Sequence, residues 1–206
     1  MWRNAWLWGV SVALAGSVLS TSLVIAQDTP PRLRGTLDQV SGNALTIKAR
    51  NGTSTTVQLK TDAKVIAVEK GTMSDIKDNS FVGITALAQP GGAIKAVEVH
   101  VFAESLRGIG EGHYPWDLMP NSTMTNAAVT QQVKKVEGNT LSLKYKDGEK
   151  TIVVPSDAPV VNLLPGDKAD LKPGTQIFIP AWAKKTDGSW EAAVVLVGRD
   201  GITPPM

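Results

Sequence analysis

One stretch of this chain occurs twice. Val40-Ser41-Gly42-Asn43-Ala44-Leu45-Thr46-Ile47-Lys48 returns as Val136-Glu137-Gly138-Asn139-Thr140-Leu141-Ser142-Leu143-Lys144, an offset of 96 residues. Ser74-Asp75-Ile76-Lys77 matches Ala169-Asp170-Leu171-Lys172 at an offset of 95. Ala96-Val97-Glu98-Val99 matches Ala192-Ala193-Val194-Val195, again offset by 96. Three matches in one order with almost no drift mark a duplicated unit. Whatever one copy folds into, the other must fold into as well.

Each copy reads as short strands. Leu45 and Ile47 share one face of a strand, with Thr46 and Lys48 on the other. Asn51-Gly52 is a strong hairpin signal, and Val57 and Leu59 point inward on the strand after it. The segment 65–68 reads as a further short strand, and Met73 to Lys77 as one helical turn. A last hairpin turns at Gln89-Pro90-Gly91-Gly92, with Val97, Val99 and Val101 inward. In the second copy Gly138-Asn139 is expected to turn where Gly42-Asn43 does. Asp147-Gly148 replaces Asn51-Gly52, and Asp187-Gly188 closes the final hairpin. The expected fold class is all-β: two tandem five-stranded OB-like (or SH3-like) barrels after an N-terminal signal peptide.

The expected boundaries are a signal peptide at 1–26, an extended segment at 27–32, and barrel repeats at 33–102 and 129–198. A connector at 103–128 joins the repeats, and a Pro-rich tail occupies 199–206. The signal reading rests on Arg3, the apolar run after it, and the small-residue spacing Val24-Ile25-Ala26. Cleavage after residue 26 leaves 180 of 206 residues, with 20 basic against 19 acidic side chains. That balance argues against nucleic acid or an anionic membrane as partner. There is no cysteine, which removes disulfides, thiolate catalysis and a lipid-bearing cysteine together. The product is expected to be periplasmic or secreted, soluble and monomeric, with no membrane insertion after cleavage.

The connector holds Gly108, Gly110, Gly112, Pro115 and Pro120, so it is not one regular element. It also holds Tyr114, Trp116, Leu118, Met119 and Met124, so it is no plain linker. The expectation is that Tyr114-Pro115-Trp116 wedges between the barrels and fixes their angle. Trp182, Trp190 and Phe178 are expected in core or inter-barrel packing.

The pattern G-x-L-x-x-V-x-G-N-x-L-T-I-K, then D-L-K-P-G and a final A-x-x-V strand, resembles a bacterial exported domain family of unknown function with OB-like barrels. Gly110-Glu111-Gly112-His113-Tyr114-Pro115-Trp116-Asp117-Leu118, then Ser122-Thr123-Met124-Thr125-Asn126-Ala127, and the ending Asp200-Gly201-Ile202-Thr203-Pro204-Pro205-Met206 resemble two-repeat secreted proteins of that group. The resemblance spans nearly all the chain after the signal and implies no catalytic residue.

Enzyme motifs are absent: there is no G-x-S-x-G, no H-E-x-x-H and no phosphate-binding glycine loop. The chain is therefore read as no enzyme but a non-catalytic binding or interaction module of the cell envelope. Its partner is an unknown envelope protein or small ligand. Its site is the inter-barrel cleft, with His113, Tyr114, Trp116 and Asp117 as binding residues. The alternative is a periplasmic metal-handling accessory protein. Its ligands would be His100, His113, Glu98 and Glu111, with Met119 or Met124 as soft ligands for copper. An unrecognised hydrolase is a third reading. No cofactor is expected beyond that metal ion.

Overall fold

The computed structural model describes residues 31–135 and 138–206. The signal segment and most of the extended stretch after it lie outside the described residues. The described chain is all-β. Its strands are β1 (Leu33–Ser41), β2 (Ala44–Ala49), β3 (Ser54–Lys70), β4 (Phe81–Ala88), β5 (Ile94–Phe102), β6 (Gly112–Pro115) and β7 (Ser122–Lys135). β8 (Gly138–Tyr145), β9 (Gly148–Pro155), β10 (Val160–Pro165), β11 (Gln176–Ile179), β12 (Ala183–Lys184) and β13 (Trp190–Gly198) follow. Helix among the described residues is confined to 3-10 turns at Met73–Asp75, Glu104–Leu106 and Lys168–Asp170. None is long and apolar enough to cross a membrane.

All the strands join one large mixed sheet, whose pairings close on themselves twice. In the first ring β1 pairs β2, β2 pairs β3, β3 pairs β13, β13 pairs β11, and β11 returns to β1. In the second, β4 pairs β5 and β7, β7 pairs β8, β8 pairs β9, and β9 meets β5. Each ring thus takes three strands from one repeat and the closing pair from the other. The expectation that 33–102 and 129–198 each close their own barrel is not met.

The long β3 explains the exchange. Its first half pairs β2, and its second half runs on to pair β10 antiparallel. The chain is thereby carried out of the first ring before β4 begins. β10 does the same for the second repeat by lying parallel to β5. Val68 pairs Leu163, its own counterpart at an offset of 95, while Ala67 pairs Leu164 and Glu69 pairs Asn162. The contact is self-complementary, as at the interface of a two-fold dimer.

Each ring has its own core, and the junction has a third. Leu37, Leu45, Ile47, Val57, Ile177, Ile179, Val195 and Val197 fill the first. Val82, Ile84, Val99, Val129, Leu141, Leu143, Ile152 and Val154 fill the second. Leu45, Ile47, Val57 and Leu59 are buried as alternation predicts. Ile66, Val68, Leu106, Val161, Leu163, Phe178, Leu196 and Met206 pack between the rings.

Four local expectations need correction. Gly138-Asn139 does not turn: both residues lie in β8, and Gly138 pairs Lys135. Val97 is the extra residue of a bulge, because Thr85 pairs Glu98 while the next partner of β4, Ala86, pairs Ala96. The second repeat starts its strand at Ser122, so β6 and the first residues of β7 take over part of the connector. The tail is not loose: Pro204 and Met206 are buried. It folds back so tightly that a Cβ on Gly198 would lie 1.7 Å from the Ile202 carbonyl oxygen. Only glycine admits that approach.

Candidate functional site: a cavity between the rings

The strands that line the junction turn one face to their ring core and the other to the space between the rings. On β4 and β5 the second face carries Gly83, Thr85, Glu98 and His100. Gly83 lies opposite His100 on one side and Asn126 on the other. A Cβ there would sit 2.5 Å from Asn126 Oδ1 and 3.3 Å from His100 Nδ1. The missing side chain lets two polar groups converge across the strand.

These polar groups are out of water. Glu98 and His100 are each 2 % exposed, Thr85 is fully buried and Asn126 is 7 % exposed. Sequence alternation places Glu98 and His100 correctly opposite Val99, but that face is covered by the junction and not by solvent. The Thr85 hydroxyl donates to Glu98 Oε1 at 2.7 Å. His100 Nε2 lies 3.2 Å from the same oxygen but is not aligned as a hydrogen bond and has no other partner. Asn126 Nδ2 donates to the Ile109 carbonyl and to Tyr114 Oη, each at 3.2 Å. The Tyr114 hydroxyl donates to the Gly110 carbonyl at 3.3 Å. Burial raises the Tyr114 pKa, against the pull of the Arg32 charge.

The opposite wall comes from β11, β13 and the turn after β11. There the matching positions are Phe178, Pro180, Val194 and Leu196. Ile66 and Leu163 join the two walls, and Ile109, Trp116 and Met206 also line the space. The space, partly open to solvent, has a volume of about 240 Å³. Trp116 meets Phe178 edge-on with centroids 6.0 Å apart, and Tyr114 lies 6.0 Å from Trp116. Tyr114 belongs to β6, which pairs β7 of the second ring, while Phe178 belongs to the first. Of the wedge expected at Tyr114-Pro115-Trp116, the two aromatics reach from one ring to the other, while Pro115 is exposed.

Asp117 serves the site from outside. It accepts from Arg34 at 2.7 and 3.1 Å and lies 3.4 Å from Arg32. Arg32 stacks 3.8 Å from the Trp116 centroid, and Arg34 lies 4.9 Å from that of Phe178. Arg34 also donates to the Met206 carbonyl. Burial works to raise the Asp117 carboxyl, but hydrogen bonds and charge from Arg34, with the charge of Arg32, hold it below its ordinary value. The two arginines share this one carboxylate and clamp Trp116 and the tail over the cavity.

The four residues named for a metal are not brought together. His113 Nδ1 meets Thr125 Oγ1 at 2.8 Å, and its ring stacks on Tyr145. Thr125 and Asn126 are consecutive on β7 and face opposite ways, so His113 lies across the sheet from His100. Burial and the charge of Lys150 lower the His113 pKa. Glu111 accepts from the Lys146 backbone at 3.0 Å, away from the Glu98–His100 pair. Met124 lines the cavity while Met119 is exposed. Among the described residues no three His, Asp or Glu side chains form a group able to hold a metal ion.

Sequence reasoning missed Gly83, Thr85 and Asn126, and all of the apolar wall except Phe178, which was expected in core or inter-barrel packing. Matching the repeats would have pointed to them. At 95 or 96 residues, Gly83, Thr85, Glu98 and His100 answer to Phe178, Pro180, Val194 and Leu196. No family model, no curated protein and no solved structure matches this chain.

Proposed function

We propose that this chain is an exported, non-catalytic binding protein of the bacterial cell envelope that holds a small ligand in the cavity between its rings. In this reading the rings are five-stranded OB-like or SH3-like barrels, and the protein acts in the periplasm or outside the cell. One observation carries the reading. His100 Nε2, Trp116 Nε1 and Asn126 Oδ1 are buried without hydrogen-bond partners, and all three belong to residues lining the same apolar cavity. A buried polar group left unpaired costs about 1–3 kcal/mol, so a fold that keeps three of them beside one pocket does so for a reason other than packing. A concave, mostly apolar site with few convergent polar groups is the usual form of a ligand pocket. The family resemblance of the repeats fits an exported protein without catalytic residues.

The test uses Trp116 as reporter. After removal of the signal segment the chain has three tryptophans, Trp116, Trp182 and Trp190. Trp182→Phe/Trp190→Phe leaves only the one on the cavity. Its fluorescence should change saturably with 4-ethylphenol, and Val194→Phe, which fills the cavity, should abolish the change. A flat titration with ethylphenol, ethylbenzene and indole alike would refute the reading.

A further inference from the structure

Resting on that reading, we infer that the ligand is a small amphipathic carboxylate, with a benzene-sized apolar body in the cavity and its one negative charge held at the mouth by Arg32. The lining is sorted by depth. Ile66, Leu163, Phe178 and Leu196 are buried and form the floor. Arg32, Tyr114 and Trp116 are half-buried and stand toward solvent. A cavity of about 150 Å³ takes benzene. One of about 240 Å³ takes a ring with a short substituent, and its open side leaves the end of that substituent at the mouth.

The mouth carries a positive charge that nothing balances. Among the described residues Arg32 is the one member of the lining with a permanent charge, and no Asp or Glu joins it. Arg32 and Arg34 face the single carboxylate of Asp117. Arg34 takes both its oxygens, at 2.7 and 3.1 Å. Arg32 comes only to 3.4 Å, without the alignment of a hydrogen bond. Two cations against one anion leave one charge over, which suits a monoanion. Glu98 does not line the space; whatever its protonation state, Arg32 is the charge that a ligand meets first.

Stacking decides which donors are on offer. The Trp116 ring covers one face of the guanidinium, with Arg32 Cζ 3.8 Å from its centroid. A stacked guanidinium keeps its N–H groups at its edge, in its own plane, where a planar carboxylate is matched by two parallel hydrogen bonds. Trp116 also meets Phe178 edge-on, with centroids 6.0 Å apart. One indole therefore joins the charged mouth to the apolar wall, and a ligand with an acid at one end and a ring at the other touches both.

The experiment is calorimetry at neutral pH on the chain without its signal segment. It compares 4-ethylbenzoate with 4-ethylbenzamide, the same shape without the charge, and with 4-ethylbenzylammonium. Ethylbenzoate should bind about tenfold tighter than the amide, the worth of a hydrogen bond to a charged group. The ammonium ion should bind about tenfold more weakly than the amide, since it meets a like charge at the mouth. Arg32→Met should bring ethylbenzoate down to the level of the amide, with retained amide binding showing that the cavity is intact. Arg32→Gln serves in its place should that variant fail to fold. Arg50→Met removes the same charge from the neighbouring groove and should change ethylbenzoate binding by no more than about twofold, because solvent and salt screen that charge. Val194→Phe should abolish binding of all three probes, which separates the cavity from that groove. Three results overturn the inference while leaving the cavity a binding site: ethylbenzoate no tighter than the amide or the ammonium ion, ethylbenzoate unaffected by Arg32→Met, or a loss with Arg50→Met as large as with Arg32→Met. No binding of any probe, charged or neutral, refutes the proposed function itself.

Discussion

The β4–β5 hairpin and its counterpart, β11 with β13, began as the same piece of chain and now do different things. Toward their ring cores they remain alike. Val82 answers to Ile177, Ile84 to Ile179, Val99 to Val195 and Val101 to Val197, all buried. Toward the junction they have parted. Gly83, Thr85, Glu98 and His100 stand where the other hairpin has Phe178, Pro180, Val194 and Leu196. Each ring of strands needs the first set for its core and fixes it by packing. The second set is free to change only if the space between the rings tolerates it, and a buried carboxylate beside a histidine is not what packing alone selects.

The largest expected effect lies on the apolar wall. Phe178→Ala should destabilise by about 3–5 kcal/mol in urea unfolding, because Phe178 is 2 % exposed and spans the rings through Trp116. On the polar wall His100→Leu alone should cost about 3 kcal/mol, since it leaves the Glu98 carboxylate buried beside an apolar group. Glu98→Val/His100→Leu, which copies the apolar wall, should return to within about 1 kcal/mol of the parent or exceed it. If the single replacement is as harmless as the double one, the polar wall is not a coupled pair and the comparison fails.

The equivalent carboxylates Asp75 and Asp170 sharpen the contrast on a smaller scale. Hydrogen bonds from Arg199 to Asp170, at 2.8 and 2.9 Å, hold its carboxyl below the ordinary range. Asp75 is lowered by the Thr72 backbone N–H and by Asn162. Folded carboxyls held low stabilise above the unfolded value near pH ~4, and that stability is lost as pH falls through the folded value. Asp170→Asn should cost about 1 kcal/mol at neutral pH and flatten the acid limb. Asp75→Asn should do less. His113 should give the smallest effect. Its lowered pKa makes its contribution full above pH ~6.5 and lost as pH falls toward the folded value. His113→Gln should reduce the loss of stability that urea unfolding shows as pH falls below ~6.5, by about 0.5 kcal/mol or less.

The elements of this fold were legible because strand periodicity and turn chemistry are local. Leu45, Ile47, Val57 and Leu59 alternate, Asn51-Gly52 turns with Gly52 at φ 86°, and Asp187-Gly188 closes the last hairpin. The partnership of the strands was not legible. β1 is closed by Ile177 and Ile179, yet Val82 and Ile84 of its own repeat carry the same alternation, so no hydrophobic pattern separates the two pairings. Only the run-on of β3 past Leu59 into Val65–Val68 hints that the chain leaves its ring. The candidate site was half legible. Tyr114 and Trp116 stood out as apolar anchors in a glycine-rich connector. His100 was noticed for the wrong reason, because a metal needs His113 on the same side and β7 keeps them apart. Asn126 and Gly83 are ordinary strand residues until the sheet brings them to His100.

The cavity exists only if the rings are closed by each other's hairpins. Thr36 and Gln176 lie opposite each other across β1 and β11, joined by a 2.9 Å hydrogen bond, and the chain has no cysteine to interfere. Thr36→Cys/Gln176→Cys should form a disulfide within the monomer under mild oxidant, seen as one linked peptide pair by mass spectrometry. Thr36→Cys/Phe81→Cys, the pairing expected of a self-closed repeat, should stay reduced. A disulfide in the second double variant, with none in the first, would contradict the account.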